Sequence, residues 1–185
     1  MTHWHIRQAA HALRHGGIIA YPTEAVYGLG CDPLNAPAVL RLLALKNRPV
    51  EKGLILIASD FQQLAPFVRA PEPEMMRRIS ATWPGAVTWL LPALVTTPAW
   101  LRGAHDTLAV RVTAHPQAAA LCRAFGGALV STSANPAGRP PARHPLRVRH
   151  YFSGSLDCIL SGAVYSHTKP TEIRDAVTGK VIRPA

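Results

Sequence analysis

The sequence predicts a globular α/β domain, and three observations support this prediction. The chain has 185 residues, which is the size of one ordinary domain. Hydrophobic residues make up 48% of the chain and charged residues 16%, so there is enough apolar material for a core. Segments with helical periodicity alternate with short apolar runs, which is the pattern of an α/β fold.

Five segments carry helix signals. The first has apolar residues at helical spacing and ends at Gly16-Gly17, and another follows Ser59, which can cap a helix. The other three begin with a proline, which is favoured in the first helical turn. The predicted helices cover residues 6–13, 37–45, 60–68, 73–82 and 116–125.

Apolar runs between these helices predict strands at residues 18–21, 54–58, 87–91, 108–112 and 128–130. Weaker patterns indicate a short strand at 158–160 and a hairpin over 176–183 that turns at Thr178-Gly179. Residues 136–145 contain four prolines, so we expect a loop there that is mobile or closes over a ligand.

Charge and composition narrow the function classes. The chain has 20 Lys and Arg residues against 10 Asp and Glu, which gives a formal charge of +10. Of the 20 cations 16 are arginine. This excess of arginine favours an anionic partner such as a nucleotide or RNA. No apolar run reaches the roughly 18–20 residues of a membrane span, and the N-terminus lacks a secretory pattern. The three cysteines are far apart, so we expect a cytoplasmic protein.

Standard nucleotide and zinc motifs are absent from the sequence. There is no phosphate-binding loop, no dinucleotide-binding glycine pattern, no His-Glu-x-x-His and no Cys-x-x-Cys pair. His11 and His15 lie four apart on the first predicted helix, but without a neighbouring carboxylate or thiol they indicate a solvated face. No metal-ligating residues are predicted.

Two segments place polar side chains where a strand or a helix ends. Thr23 and Glu24 follow the first strand, where α/β sheets bind ligands, and Gly28 and Gly30 would let a ligand approach the backbone. A tight turn capped by Thr23 explains this pattern equally well. Lys46 and Arg48 lie at the end of the second helix, where we expect both to face solvent. Taken alone, these two cations are better explained by compensation of the helix dipole.

Two further candidates lie in the second half of the chain. Arg111 is inside an apolar strand and needs an anionic partner, which a substrate or a structural salt bridge would supply equally well. Residues 131–135, Ser-Thr-Ser-Ala-Asn, follow a strand and present small hydroxyls suited to phosphate or ribose oxygens.

In this order along the chain, these segments resemble the YrdC-like family of threonylcarbamoyl-AMP synthases, most closely its short bacterial TsaC branch. The matching segments cover nearly the whole chain and are 21–31, 46–49, 52–57, 83–85, 108–112, 131–135 and 170–175. The resemblance implies a single catalytic domain over residues 1–185, without the additional C-terminal domain of longer members. It also implies a twisted open sheet of mixed strands, flanking helices and a basic concave face.

The resemblance implies a nucleotidyltransferase that joins L-threonine, bicarbonate and ATP into threonylcarbamoyl adenylate and releases pyrophosphate. Lys46 and Arg48 would be catalytic, by neutralising charge that develops on the phosphates. The residues implied to bind L-threonine are Thr23, Arg111, Ser131 and Thr171. Those implied to bind ATP are Lys46, Arg48, Thr107, Ser133, Asn135 and Arg183. Mg²⁺ is expected to enter with ATP.

The implied product serves the threonylcarbamoyl modification of adenosine 37 in tRNA. The implied partners are therefore tRNA, directly or indirectly, and threonylcarbamoyl-transfer proteins of the TsaB, TsaD and TsaE type, with no role for a membrane. The chain departs from the family pattern at three positions. Ala137 replaces a common Ser, Thr171 replaces the usual Ser, and Gly53 stands where the wider family has Pro.

An RNA-binding or ribosome-associated module without turnover is the alternative. Residues 107–156 contain no acidic residue but several arginines, a pattern that could neutralise phosphates. Aromatic residues are only 6% of the chain and do not interleave with these arginines, which argues against recognition of single strands by stacking. A serine hydrolase built on Ser131 or Ser133 lacks the required Gly-x-Ser-x-Gly motif.

Overall fold

A mixed sheet runs through the molecule, and helices flank it. The computed structural model describes residues 3–165 and 171–184. Within them the helices are α1 (His3–Arg14), α2 (Ala36–Leu45), α3 (Pro73–Ser80), α4 (Ala99–Arg102), α5 (Pro116–Phe125) and α6 (Pro145–Phe152). The strands are β1 (Ile19–Pro22), β2 (Tyr27–Gly30), β3 (Ile55–Ala58), β4 (Val87–Pro92), β5 (Thr107–Val112), β6 (Leu129–Ser133), β7 (Cys158–Ile159), β8 (Glu172–Asp175) and β9 (Val181–Arg183). Short 3₁₀ helices cover Val50–Lys52 and Phe61–Gln63.

The strands are ordered β7-β1-β2-β6-β3-β5-β4-β8-β9 across the sheet. Three neighbouring pairs are parallel, namely β1 with β7, β3 with β5, and β4 with β8. The remaining neighbours are antiparallel. The prediction of an α/β domain with an open sheet of mixed strands and flanking helices is confirmed.

The larger apolar core covers one face of the sheet. Leu56, Val110 and Val130 point to this face from three adjacent strands, and all three are fully buried. Helix α2 packs here through its apolar stripe, and its start is fixed by Asn35, whose side chain accepts a hydrogen bond from Ala38 N at 3.0 Å.

The opposite face is divided into two halves. Helices α1 and α5 cover the first half, which we call the covered half, by packing over Ile19, Tyr21, Ile57 and Leu129. Side chains two residues apart on a strand point to the same side. The strand residues Ile55, Arg111 and Ser131 therefore lie on this same face, and they line an open cavity. We call this second part the open half.

Most predicted elements are confirmed, but the helix expected over 60–68 is wrong. The structure has only the 3₁₀ helix Phe61–Gln63 there. Asp60 rather than Ser59 caps this helix, since Asp60 Oδ1 accepts a hydrogen bond from Gln63 N at 3.3 Å. Pro66 cannot continue a helix, because it lacks a backbone N–H.

Four further differences concern loops and short elements. Strand β2 lies in the segment taken as a loop after the first strand, and helices α4 and α6 have no counterpart among the predicted elements. The C-terminal hairpin turns near Thr178-Gly179 as expected, but its first arm is β8 rather than residues 176–177. The proline-rich loop ends at His144, and Ala142 fixes it by hydrogen bonds with Ala134 at 3.0 Å and Tyr27 at 2.8 Å.

Each helix in the described parts of the chain is too short or too polar to cross a lipid bilayer.

Candidate active site

An open cavity of about 260 Å³ lies on the open half of the sheet. The turn after β1, the start of β3, the ends of β5 and β6, and the residue just before β8 all contribute to its wall. Its polar lining residues are Thr23, Tyr27, Arg48, Arg111, Ser131, Thr132, Ser133, Thr171 and Arg183. All four residues predicted to bind L-threonine are therefore brought together in this first cavity.

A second cavity, of about 240 Å³, adjoins the first and shares Arg48, Thr132 and Ser133 with it. Lys46 and Asn135 line the second cavity, so five of the six residues predicted to bind ATP lie in the two cavities together. Thr107 lines neither one. It begins β5, on the same face as Arg111 and roughly 13 Å along the strand from it.

Arg111 forms a buried ion pair with Glu24. The Arg111 Nη2 atom lies 3.4 Å from Glu24 Oε2, and the two side chains are only 5% and 2% exposed. The other carboxylate oxygen, Oε1, accepts hydrogen bonds from Thr113 Oγ1 at 2.7 Å and from Ala114 N at 3.0 Å. Arg111 thus has the structural salt bridge that the sequence left open, and it also lines the first cavity.

Glu24 remains ionised in this environment. Burial by itself would raise the pKa of Glu24, but the Arg111 guanidinium and the hydrogen bonds from Thr113 and the backbone outweigh that effect. The pKa of Glu24 therefore lies below its ordinary value. The carboxylate balances the charge of Arg111 within the wall of the first cavity.

Lys46 is buried, so the expectation that it faces solvent is wrong. Only 7% of the residue is exposed, because the end of α2 passes beneath residues 133–135. Its Nζ donates to the main-chain oxygen of Ser133, to Asn135 O at 2.8 Å and to Asn135 Oδ1 at 3.4 Å. These acceptors lie at the end of β6 and just after it, not at the end of α2, so helix-dipole compensation does not explain Lys46.

Burial and the neighbouring Arg48 guanidinium lower the pKa of Lys46 to about 8. Burial lowers the pKa of Arg48, and the charge of Arg183 lowers it further. Burial likewise lowers the pKa of Arg183, and the charge of Arg111 adds to this effect. These cations therefore repel one another around the two cavities. A bound anion would relieve this repulsion, so the two cavities are suited to negatively charged groups.

Two lining arginines, Arg48 and Arg183, are held by main-chain oxygens. Arg48 Nη2 donates to Gly53 O at 2.9 Å and to Lys52 O at 3.3 Å. Arg183 Nη2 donates to Thr171 O at 2.8 Å, which links β9 to the residue just before β8. Both guanidinium groups are thereby directed by the backbone rather than by carboxylates.

Thr23 combines the two roles that the sequence left open. Its Oγ1 donates to Val26 O at 2.7 Å, which closes the turn between β1 and β2, and the residue also lines the first cavity. Gly28 keeps this cavity open, since a Cβ there would lie 3.3 Å from both Ser131 Oγ and Thr23 Cγ2. Gly30 serves packing instead, because a Cβ would lie 2.4 Å from Val130 O.

Sequence reasoning missed two features of the site. Lys52 lines the second cavity as a third cation beside Lys46 and Arg48. The sequence feature that could have indicated it is the close spacing of these three cations, the last of which ends a short 3₁₀ helix. The pairing of Glu24 with Arg111 had no sequence signal, because the two residues are far apart in the chain.

The described residues contain no group of three or more His, Cys, Asp or Glu side chains arranged to hold a metal ion. The carboxylate nearest to Arg111, that of Glu24, is already engaged by Arg111, Thr113 and Ala114.

An open mixed sheet whose uncovered half gathers guanidinium, ammonium and hydroxyl groups defines an α/β protein that binds small anionic molecules. The chain belongs to the Sua5/YciO/YrdC family, because the model of that family, described as telomere recombination, matches residues 11–185.

Two relatives match the chain over nearly their whole length. A threonylcarbamoyl-AMP synthase from Cellvibrio japonicus is 56% identical over 180 residues, which are 97% of this chain and 95% of the relative. A protein of the same name from Halorhodospira halophila is 57% identical over 178 residues, which are 96% of this chain and 93% of the relative.

Two solved structures share the fold. P. abyssi Sua5 complexed with L-threonine superposes with a TM-score of 0.89 at 33% identity over 95% of this chain, which spans about half (52%) of that protein. E. coli YciO superposes with a TM-score of 0.81 at 28% identity, covering 92% of this chain and 82% of that protein.

Proposed function

We infer that this protein is a threonylcarbamoyl-AMP synthase, a nucleotidyltransferase that joins L-threonine, bicarbonate and ATP into threonylcarbamoyl adenylate and releases pyrophosphate. The observation that carries this inference is the convergence of the residues predicted for L-threonine and ATP in two adjoining cavities. The inference is supported further by two relatives of 56–57% identity, both of which are named threonylcarbamoyl-AMP synthase. An RNA-binding module without turnover is not favoured by these relatives.

The reaction needs no covalent bond to the protein. The α-amine of L-threonine adds to the carbon of bicarbonate, and water is lost to give a carbamate. A carbamate oxygen then attacks the α-phosphorus of ATP, the bond from that phosphorus to the bridging oxygen breaks, and pyrophosphate leaves. The protein therefore acts by holding the reactants in contact and by stabilising negative charge.

The first cavity holds the amino acid. Arg111 pairs with the carboxylate of L-threonine, since it lies on the same sheet face as Ser131 within the first cavity. The hydroxyls of Thr23, Ser131 and Thr171 surround the remaining polar groups. Because Ser131 and Ser133 lie two residues apart on β6, the amino acid and the phosphates would lie side by side along this strand.

The second cavity and its junction with the first hold the phosphates of ATP. Arg48 and Ser133 line both cavities, Arg183 lines the first, and Asn135 lines the second. Thr107 lies on the same face beyond Arg111, at a distance that an extended nucleotide can span. Mg²⁺ would be held by the ATP phosphates, where it supplies further neutralisation of their charge.

Lys46 enters the reaction by exchanging one acceptor. An ammonium group has three donors, and here they face Ser133 O, Asn135 O and Asn135 Oδ1. Of the two bonds to Asn135, the one to Oδ1, at 3.4 Å, is the longer. We propose that a phosphate oxygen replaces this acceptor when ATP binds.

The product is a mixed anhydride of a carbamate and a phosphate, so water would consume it. We propose that threonylcarbamoyl-transfer proteins of the TsaB, TsaD and TsaE type use it in the cytoplasm to modify adenosine 37 of tRNA, which reaches this protein directly or through them.

Pyrophosphate release by the purified chain tests the function. We expect release only when L-threonine and bicarbonate are both present with ATP. The Lys46→Ala variant should lose turnover, whereas Lys180→Ala, which removes an exposed lysine outside both cavities, should retain it. Release of pyrophosphate in the absence of L-threonine would contradict the proposed function.

A further inference from the structure

Glu24 has no part in the reaction described above, yet it is 2% exposed and carries a charge. It does not line either cavity. Its carboxylate contacts Arg111, which does line the first cavity. The contact through which its side chain would act on a bound substrate is therefore the one to Arg111.

Glu24 is fixed at both its side chain and its backbone. Its Oε1 atom accepts hydrogen bonds from Thr113 Oγ1 at 2.7 Å and from Ala114 N at 3.0 Å. Its main-chain oxygen accepts a hydrogen bond from Tyr165 N at 3.1 Å. The carboxylate is thus anchored to the end of β5 and cannot turn into the cavity without losing these contacts.

Arg111 is less completely engaged than its partner. Its Nη2 atom lies 3.4 Å from Glu24 Oε2, which is longer than the roughly 2.7–2.9 Å of a tight charge-assisted hydrogen bond. Its Nε atom is buried and donates to no atom in the described parts of the chain. The pair therefore balances charge without a tight hydrogen bond from the guanidinium, and Arg111 lines the first cavity, where a second carboxylate can reach it.

We propose that Glu24 is a positioning residue, which holds the Arg111 guanidinium in the cavity wall in the orientation that receives the carboxylate of the amino-acid substrate. The inference rests on the proposed function, because that carboxylate belongs to L-threonine. Binding then places one guanidinium between two carboxylates, one fixed by the fold and one brought by the substrate. Without Glu24, a buried guanidinium lacks its counter-charge and turns toward other oxygens or solvent.

Positioning and simple charge competition predict opposite results for Glu24→Gln. This variant keeps an oxygen for Thr113 and Ala114 but removes the negative charge. If Glu24 only competed with the substrate for Arg111, its loss would tighten the binding of L-threonine. If Glu24 positions Arg111, the affinity should fall by about tenfold to hundredfold, as for other displaced binding groups.

The test is calorimetric titration of the full chain with L-threonine alone, followed by steady-state kinetics. For Glu24→Gln we expect weaker L-threonine binding and a raised KM for L-threonine, with the KM for ATP and the kcat little changed. A matched control is Glu172→Gln, which removes the carboxylate of another ion pair of the same sheet, with Arg174 Nε at 2.7 Å. It should leave the affinity for L-threonine unchanged.

The outcomes separate this inference from the proposed function. If the unmodified chain binds no L-threonine, the proposed function fails. If it binds L-threonine and Glu24→Gln binds it equally or more tightly, the positioning role alone is overturned. Should Glu24→Gln not fold, Thr113→Val decides, because it keeps the ion pair but releases one anchor of Glu24. That variant should also weaken L-threonine binding, and unchanged affinity would contradict the role.

Discussion

The covered half and the open half of one sheet face are built on the same strands but have different roles. On β6, Leu129 is buried beneath α1 and α5, whereas Ser131 lines the first cavity two residues later. On β3, Ile57 is covered and Ile55 lines the cavity. On β6 the change from an apolar to a polar side chain therefore marks the border between the part that stabilises the fold and the part that binds, whereas on β3 both side chains are apolar and only their cover differs.

The open half nevertheless contains one element that stabilises the fold. Arg111 is nearly as buried as the apolar residues of the covered half, and it depends on Glu24 for charge balance. Burial alone therefore does not distinguish the two halves. The distinction is whether a buried group keeps donors that a ligand can use.

Arg111→Leu should have the largest effect, because it removes a binding group and a buried counter-charge together. Breaking a buried ion pair by removing one partner costs about 3–5 kcal/mol, since the other charge is left uncompensated. We expect a loss of that size in the free energy of unfolding, measured with denaturant, together with a large rise in the KM for L-threonine.

The double variant Glu24→Gln/Arg111→Leu separates these two effects. It removes the orphaned charge but keeps an acceptor for Thr113 and Ala114, so most of the lost stability should return. Binding of L-threonine should not return. Recovery of L-threonine binding in the double variant would show that Arg111 serves the fold alone.

Much of the fold could be predicted because most elements are encoded locally. Helix α1 has an apolar stripe at helical spacing, and the prolines at 37, 73 and 116 each lie in the first turn of a helix. Strand β2 could not be recognised, because its two glycines look like turn residues. They are needed there by close packing, as Gly30 against Val130 and Tyr21 shows.

The candidate site was predictable in its residue types but not in their contacts. The hydroxyls and cations of the matching motifs do lie around two adjoining cavities. The burial of Lys46 depends on a loop almost ninety residues farther along the chain, and the partner of Arg111 is equally remote. No local pattern specifies such contacts, since the folding of the whole sheet creates them.

Leu129→Ala and Ser131→Ala should have opposite effects on the two halves. The first leaves a cavity under α1 and α5, and a loss of about 2–5 kcal/mol in unfolding free energy is expected. The second removes a hydroxyl that interacts with Tyr21, and a loss of only about 0.5–1.5 kcal/mol is expected. Below the melting temperature, Leu129→Ala should bind L-threonine normally, whereas Ser131→Ala should bind it more weakly. Equal effects of both variants on binding would remove the border between the halves.

The smallest effect expected is a change of ATP affinity with pH, which depends on Lys46. Its pKa is lowered to about 8 by burial and by Arg48, and only the ammonium form attracts phosphate. The affinity for ATP, measured without L-threonine, should be nearly level between about pH 7 and 8, since the terminal phosphate of ATP loses charge only below that range, and should then fall by at most about tenfold per pH unit up to pH 9.5. Lys46→Arg stays charged throughout this range, so its ATP affinity should remain level.

Unfolding does not explain this fall in ATP affinity. The pKa of Lys46 is lower in the folded chain than its ordinary value of 10.5, so the unfolded chain binds more protons between these values. The contribution of Lys46 to the free energy of unfolding therefore increases as pH rises through 8, while the affinity for ATP decreases. An ATP affinity that stays level in the unmodified chain up to pH 9.5 would mean that Lys46 holds residues 133–135 but does not contact the phosphates.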